Sequence, residues 1–274
     1  MSTFKTIETK KNGAVAQIIL NRLEGRNALN TIMLREVQRA FEEAAANPEI
    51  RVVVLSANGK NFSGAIDAIE QDEMFDAIRK QADVARKGHE VLRRLDPFHN
   101  AVASIEKCTK PVIAAIHGDC VGKAIELVAA CDVRVASADA MFAIRSGRLG
   151  QSFLAGPLAI LPKVVRSHSW LKEMTFMGTR FGVKDAFQND LISKPFKNRE
   201  TMMSAVEEMA TLIASKSPVT VQASKMLMNY ARDHDLQDTV SYAMCCRQTL
   251  FLGQDLQNAI KAHQQKGTSE FKNI

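Results

Sequence analysis

The stretch Pro111–Val135, PVIAAIHGDCVGKAIELVAACDVRV, decides the fold class of this chain. Its apolar run Val112–Ile116 has the length and β-branching of a buried strand, and Asp132–Val135 predicts a second strand. Between them, a turn with two glycines leads into a helical pattern that begins at about Gly122. Strand, glycine turn, helix and strand in succession place the free N–H groups of a helix N-terminus at the end of a sheet.

Glu126 stands about one turn into this predicted helix. Enolate chemistry needs a carboxylate that moves a proton and N–H donors that hold a developing oxyanion, and this stretch offers both. The same pattern also fits a buried crossover whose glycines only permit close packing. The residues alone leave both interpretations open.

The composition is that of a globular protein, with 274 residues of which 46% are hydrophobic and 24% charged. This length suits one large domain, or one domain with an appendage. No run of 18 apolar residues is present, so no membrane-spanning helix is expected, and the first ten residues lack the apolar core of a signal peptide. The five cysteines include no CxxC pair, which argues against a metal site and favours a reducing compartment. The net charge of +6 suits an anionic partner, and a phosphate-bearing small ligand explains it as well as RNA does.

The chain before the central stretch predicts alternating strands and helices. Residues 3–9 and 14–20 read as a hairpin closed at Lys11–Gly13. A helix is predicted over Thr31–Ala46 and an apolar strand over Arg51–Ser56. Strand, helix and strand imply a parallel pair with a right-handed crossover.

A charged segment separates this region from the central stretch. Residues 71–106 follow a helical pattern that we expect to break near Asp96–Pro97, and their polarity predicts a helical flap or lid over the core. After the central stretch we expect a strand over Ala140–Ile144, a loop over Ser146–Gly156 and a helix over Pro157–Val165. From His168 to the end the pattern is almost wholly helical, which suggests an oligomer interface.

Four segments in order carry a resemblance to a known family. They are AQIILNRLEGRNALN at 16–30, RVVVLSANGKNFSGAID at 51–67, KPVIAAIHGDCVGKAIELVAACDVR at 110–134 and LPKVV at 161–165. Together the sequence resembles the enoyl-CoA hydratase/isomerase (crotonase) family. Within it, IEKCTKPVIAAIHGDC, SKSPVTVQASK and YARDHDLQDTVSYA are most similar to the dienoyl-CoA isomerases, which shift conjugated double bonds of fatty acyl-CoA.

The resemblance implies an α/β crotonase-like spiral of ββα units with a C-terminal helical oligomerisation region. On this basis residues 1–200 form the core with the acyl-CoA site and residues 201–274 form the oligomerisation region. Coenzyme A would enter as part of a fatty acyl-CoA substrate, without a further cofactor or a metal. The expected assembly is a homotrimer or a hexamer of two stacked trimers, and the expected location is a mitochondrion or peroxisome, although no targeting signal is evident.

The resemblance also assigns roles to particular residues. The backbone N–H groups of Ile66 and Lys123 match the two donors that grip the thioester oxygen, and Glu126 matches the first acidic position. The adenine of coenzyme A would lie near the backbone of Arg26, Asn27 and Ala28. The segments holding Ala65 and Gly122 would flank the passing thioester.

The sequence departs from the family pattern at several of these positions. The usual run of three glycines is Gly122, Lys123 and Ala124, and Ala65 replaces another glycine. The second and third acidic positions match Ser146 and Leu154, so Glu126 alone remains of the expected acids.

Three hypotheses follow from these departures. The first is an acyl-CoA isomerase that uses Glu126 as sole base, with Ser146 or a water assisting, and with reduced activity. The second is a hydratase, a hydrolase or another crotonase-type reaction. The third is a protein that binds acyl-CoA, or RNA, with little turnover.

Other polar residues have simpler explanations. We expect His117, at the end of a buried strand, to be packed and hydrogen-bonded rather than catalytic. Asp67 and Glu70 follow the Ile66 segment and are alternative candidates for active-site acids. Lys225 and the basic residues of the helical tail are candidates to meet coenzyme A phosphates or to face solvent.

Overall fold

The computed structural model describes residues 4–64, 67–144 and 157–274. Its strands are β1 (Ile7–Asn12), β2 (Val15–Leu20), β3 (Val52–Ala57), β4 (Val112–Ile116), β5 (Asp119–Val121), β6 (Val133–Ser137), β7 (Met141–Ala143), β8 (Arg180–Gly182) and β9 (Lys194–Phe196). Its helices are α1 (Thr31–Ala46), α2 (Ala68–Arg79), α3 (Val84–Lys107), α4 (Lys123–Ala129), α5 (Pro157–Val164), α6 (His168–Met177), α7 (Val183–Gln188), α8 (Arg199–Ala214), α9 (Pro218–Asp233), α10 (Leu236–Leu250) and α11 (Gln254–Gln264).

The strands form two sheets. The larger sheet has the order β1-β2-β3-β4-β6-β9, with β1 antiparallel to β2 and the remaining pairs parallel. The smaller sheet has the order β5-β7-β8, and a parallel bridge between Ser63 and Cys120 extends it. The chain therefore visits the large sheet, then the small sheet, then a helix: β4, β5 and α4 form one such turn, and β6, β7 and α5 the next. This repetition is the ββα spiral that the sequence predicts.

The central strands bury both of their faces, which explains their continuous apolar sequences. Since side chains alternate along a strand, Val53 and Leu55 of β3 enter one core while Val52 and Val54 enter the other. The larger core lies on the side of α1, α3 and α4, and the smaller core lies under α8.

The predicted elements around the first crossover are confirmed. Helix α1 has the predicted bounds because Asn30, in an extended conformation, accepts a hydrogen bond from the Met33 N–H at its N-terminus. The hairpin of β1 and β2 is present, shifted toward its turn, and β2 pairs in parallel with β3.

The prediction for residues 71–106 was wrong in two respects. Helix α3 continues through Pro97, and the break lies between Arg79 and Val84, where Asp83 caps α3 through the Arg86 N–H. Pro97 is itself buried, and Phe98 and Ile105 of the same helix lie in the larger core. Burial of that apolar face offsets the hydrogen bond that a proline removes from a helix interior. The C-terminal half of α3 is therefore core rather than lid.

The region after His168 is mostly helical, interrupted by the short strands β8 and β9. Ser217 caps α9 and Pro218 takes its first position, as predicted. Helix α8 spans the proposed boundary between residues 200 and 201 and packs on the large sheet. The division of the chain into a core and an oligomerisation region stays a prediction. Across residues 4–64, 67–144 and 157–274, no helix combines the length and the apolar character needed to cross a bilayer.

Candidate active site

Two glycines shape the turn that leads from β4 into α4. Gly118 has a φ of +55°, and a Cβ there would lie 2.1 Å from the Lys60 carbonyl oxygen. Gly122 has a φ of +62° and a ψ of −125°, with open space around its absent side chain. The first glycine is required by a close approach and by its backbone, the second by its backbone alone.

Glu126 is 2% exposed, and its Oε1 atom has no hydrogen-bond partner among the described residues. Burial raises the pKa of this carboxyl to about 9, and the Lys123 charge opposes that rise. A buried carboxyl without a partner is costly to maintain and is therefore a candidate for a functional group. Its surroundings keep it neutral at pH 7 and make it a stronger base once ionised.

Lys123 contributes both its backbone and its side chain to the site. Its N–H lies at the first position of α4, where no intrahelical acceptor is available. Its ammonium lies over the ring of Phe98 on α3, 5.1 Å from the ring centroid. Burial lowers the pKa of Lys123, while the carboxylates of Glu126 and Glu70 raise it.

The loop of residues 58–64 is clamped against the β4–β5 turn by backbone hydrogen bonds. The Phe62 N–H donates to the His117 carbonyl at 2.9 Å, and the Ser63 N–H donates to the Asp119 carbonyl at 2.8 Å. The Val121 N–H donates back to the Ser63 carbonyl at 3.1 Å. These hydrogen bonds join residues 62–63 to residues 117–121. The two predicted oxyanion donors, at positions 66 and 123, follow these two hydrogen-bonded segments in the sequence.

The same loop is bonded to the predicted adenine segment. The Gly64 N–H donates to the Arg26 carbonyl at 2.9 Å, and the Ser63 hydroxyl donates to the Asn27 carbonyl at 2.7 Å. Asn27 is 1% exposed, and its side-chain amide donates to the carbonyls of Asn58 and Asn61. Arg26 and Asn27 both have positive φ, which this set of hydrogen bonds maintains.

The N–H groups of Arg26, Asn27 and Ala28 all donate within the loop, to carbonyls of residues 22–25. Their carbonyls accept from Gly64, Ser63 and Arg22 respectively. Each carbonyl oxygen has a second lone pair. The backbone of this segment can therefore still accept hydrogen bonds from the N–H groups of a ligand.

The remaining predicted residues divide into three groups. Ala65, Ile66, Ser146 and Leu154 lie outside the described residues, and their roles stay predictions. Asp67 forms an ion pair with Arg22 at 2.6 Å and caps α2. Glu70 accepts from the Thr31 N–H at 2.9 Å, at the start of α1.

Two further expectations are settled by contacts. His117 is buried with its Nε2 3.0 Å from the Gly59 carbonyl, which confirms a structural role. Lys225 was a candidate for a phosphate contact or for solvent, and both were wrong, because its ammonium is buried 2.7 Å from Asp132 Oδ2 and 3.0 Å from the Lys110 carbonyl.

Phe98 is the site residue that sequence reasoning missed. It stands in the segment that was expected to form a lid, and its polar surroundings in sequence concealed it. The helical spacing of Leu95, Phe98, Ala101 and Ile105 was the available signal for a buried face on α3.

Residues 10–273 match the family model described as enoyl-CoA hydratase/isomerase. The chain belongs to the enoyl-CoA hydratase/isomerase family. The mitochondrial Delta(3,5)-Delta(2,4)-dienoyl-CoA isomerase of Mus musculus is 35% identical over 253 residues, which is 92% of this chain and 77% of that protein. The peroxisomal protein of the same name from Arabidopsis thaliana is 30% identical and covers 100% of this chain and 99% of its own length.

Solved structures agree with this family membership. The crystal structure of a putative enoyl-CoA hydratase/isomerase family protein from Hyphomonas neptunium superposes with a TM-score of 0.85 at 28% identity, and it covers 98% of both chains. The crotonase-like α/β fold predicted from the sequence is confirmed. Family membership also supports an acyl-CoA substrate and an enzymatic role for this chain.

Proposed function

We propose that this protein is an acyl-CoA isomerase of the Δ3,5-Δ2,4-dienoyl-CoA isomerase type in fatty acid β-oxidation. The observation that carries the proposal is the Glu126 carboxyl, which is buried on α4 with one oxygen unpartnered within the described ranges 4–64, 67–144 and 157–274. The similarity to dienoyl-CoA isomerases of mouse and Arabidopsis supports the choice of reaction. The names of those two relatives give a mitochondrial and a peroxisomal location, which supports one of these organelles as the location of this protein.

In the proposed mechanism, Glu126 removes a proton from the acyl chain and returns it to a different carbon. The first transfer breaks a C–H bond, forms an O–H bond and moves negative charge to the thioester oxygen. The N–H groups of Ile66 and Lys123 are the proposed donors to that oxygen, each worth about 2.7–4 kcal/mol in the transition state. The second transfer reverses the proton movement and leaves the double bond shifted.

Hydration of a 2-enoyl-CoA is the second candidate. It is favoured by the identity of the first acid, since the resemblance places Glu in hydratases where dienoyl-CoA isomerases carry Asp. A hydratase needs two carboxylates to hold and split water, and Ser146 stands at the second acidic position. This missing partner makes isomerisation, which one carboxylate can perform alone, the better proposal.

Ultraviolet absorbance distinguishes these candidates. With 3,5-dienoyl-CoA we expect slow formation of the 2,4-dienoyl product, and with 2-enoyl-CoA we expect no loss of the enoyl absorbance. Glu126→Gln should reduce kcat by about 10²–10⁴-fold, the usual contribution of a positioned acid–base group. The matched control Glu173→Gln, on the exposed face of α6, should leave kcat unchanged.

The proposal is wrong if 3,5-dienoyl-CoA is not converted while the protein still binds it. That result would favour the alternative of a catalytically impaired acyl-CoA-binding protein. Retention of RNA without affinity for acyl-CoA would instead support the RNA-binding alternative, and that binding should weaken steeply with salt.

A further inference from the structure

The Lys123 side chain occupies a place where the family resemblance expects glycine. Lys123 and Glu126 are three residues apart on α4, so their side chains project from the same face of the helix. The Lys123 ammonium is 5.1 Å from the centroid of the Phe98 ring, and Phe98 is 1% exposed. The ring fixes the ammonium at the site because a cation over an aromatic face is attracted by the ring electrons.

The charged groups that face this ammonium come from two elements. Glu126 lies on α4 itself and Glu70 lies on α2. Helix α3 contributes Phe98, and the part of α5 whose side chains are described contributes Leu161 to the same core. Asp119, on the neighbouring strand β5, is paired with Arg180. Lys123 is therefore the described cation that acts on Glu126.

We propose that Lys123 is a positioning residue whose ammonium supplies the counter-charge for the carboxylate form of Glu126. This inference deepens the proposed function, because it explains how a single buried acid can serve as a base. No described residue donates a hydrogen bond to the Oε1 atom of Glu126, so the part of the chain that the structure describes stabilises a charge there poorly by other means.

The direction of the pKa changes supports this role. Burial raises the pKa of Glu126 to about 9 even though Lys123 lowers it. Removal of the ammonium would raise the pKa further and make the base form scarcer at any pH. The charge of Glu70 also raises the pKa of Lys123 and so favours its charged form.

Lys123 remains protonated throughout the proposed reaction. Glu126 accepts a proton from one carbon and returns it to another, so the net charge of enzyme and substrate does not change. The ammonium stabilises Glu126 before the first transfer and after the second.

Infrared titration of protein labelled with ¹³C in the Glu carboxyl tests the inference without any substrate. The carbonyl band of the protonated Glu126 carboxyl, assigned by its absence in Glu126→Gln, should disappear near pH 9 in the unmodified protein. Lys123→Met should move this titration upward by about one pH unit or more, because it removes a nearby opposite charge. Lys123→Arg retains the charge and should titrate close to the unmodified protein.

Lys172→Met is the matched control, since Lys172 is exposed on α6, and it should leave the Glu126 titration unchanged. An unchanged titration in Lys123→Met would overturn the inference, and so would an equal shift in Lys123→Arg. These outcomes are independent of turnover, so they separate this inference from the proposed function.

Kinetics provide the second readout. With 3,5-dienoyl-CoA, the rise of kcat/KM with pH should shift upward in Lys123→Met by the same amount as the infrared titration, with a smaller change in KM. A loss of rate that is equal at every pH would show that Lys123 acts only through packing, and it would overturn the positioning role.

Discussion

At the scale of single residues, the site depends on a carboxyl that the fold isolates from water. Glu126 is 2% exposed on α4, and its Oε1 atom has no hydrogen-bond partner among the residues that the structure describes. Such a group reduces the stability of the folded chain, and this cost is consistent with retention for chemistry rather than for packing.

The cost of Glu126 should depend on pH. Its folded-state pKa, about 9, lies above the ordinary value of a glutamate carboxyl, 4.5, so the folded chain retains a proton that the unfolded chain releases between these values. The stability contributed by this group is complete below pH 4.5 and is lost as pH rises toward 9. Glu126→Gln should therefore gain stability relative to the unmodified protein as pH rises across that window, by up to a few kcal/mol. Urea denaturation at pH 5, 7 and 8.5 measures the gain, and a constant difference would contradict the raised pKa.

Gly118 and Gly13 form a matched pair for testing the close approach at the β4–β5 turn. Their φ values are +55° and +56°, but a Cβ would meet the Lys60 carbonyl at Gly118 and nothing within 4 Å at Gly13. Gly13→Ala should cost about 1–2 kcal/mol for the left-handed backbone alone. Gly118→Ala should cost at least about 2 kcal/mol more, since backbone must move. Equal losses in urea denaturation would show that the 58–64 loop yields without cost.

At the scale of elements, helix α9 is joined to the large sheet by an ion pair between a buried lysine and a partly exposed aspartate. Lys225 of α9 contacts Asp132, and Asp132 also accepts from the Val112 N–H at 2.7 Å, at the start of β4. The pair links a helix that buries little apolar surface to the core.

A double-mutant cycle measures the worth of this link. Lys225→Met should destabilise the protein by about 1–3 kcal/mol, because it removes the cation of Asp132 and the donor to the Lys110 carbonyl. Asp132→Asn should also destabilise, and the double variant should lose less than the sum, with a coupling of about 1–3 kcal/mol. Additive losses in chemical denaturation would show that Lys225 contributes by packing alone.

Local signals predicted the elements whose ends are fixed by their own residues. Helix α1 was predicted to the residue because the apolar spacing that marks it lies within one segment. The proline concealed the course of α3 through Pro97 despite the helical spacing of the apolar residues around it, since the burial that offsets the proline comes from contacts with α1. The candidate site divides in the same way: Glu126 and Lys123 were proposed from the sequence, whereas their relation to Phe98 and Glu70 requires the tertiary structure.

At the scale of the whole molecule, the helical tail presents an apolar surface. Leu236, Val240 and Met244 recur every four residues on α10 and are 79%, 51% and 54% exposed. Phe251 and Leu252 extend the apolar surface beyond the end of that helix. Exposed apolar side chains at this spacing are typical of a surface that another subunit covers.

Met244→Glu should therefore shift the assembly toward monomers, because it would place a charge in a covered apolar contact. Gln188→Glu, at an exposed position on α7, is the control and should leave the assembly unchanged. Light scattering after gel filtration measures both, and we expect a trimer or hexamer for the unmodified chain. A monomer before any substitution would refute the proposed oligomer.

The hydrogen bonds of residues 58–64 have a consequence for ligand length. They join the Arg26–Ala28 segment and the His117–Val121 turn to one stretch of backbone. The distance between the sites proposed for the nucleotide and for the thioester of acyl-CoA is therefore fixed. With a fixed distance, binding of the nucleotide determines where the thioester of the same acyl-CoA molecule lies. An acyl-pantetheine keeps the reactive thioester but lacks the nucleotide, so nothing would hold it at Arg26–Ala28. Its turnover should therefore fall even at saturation.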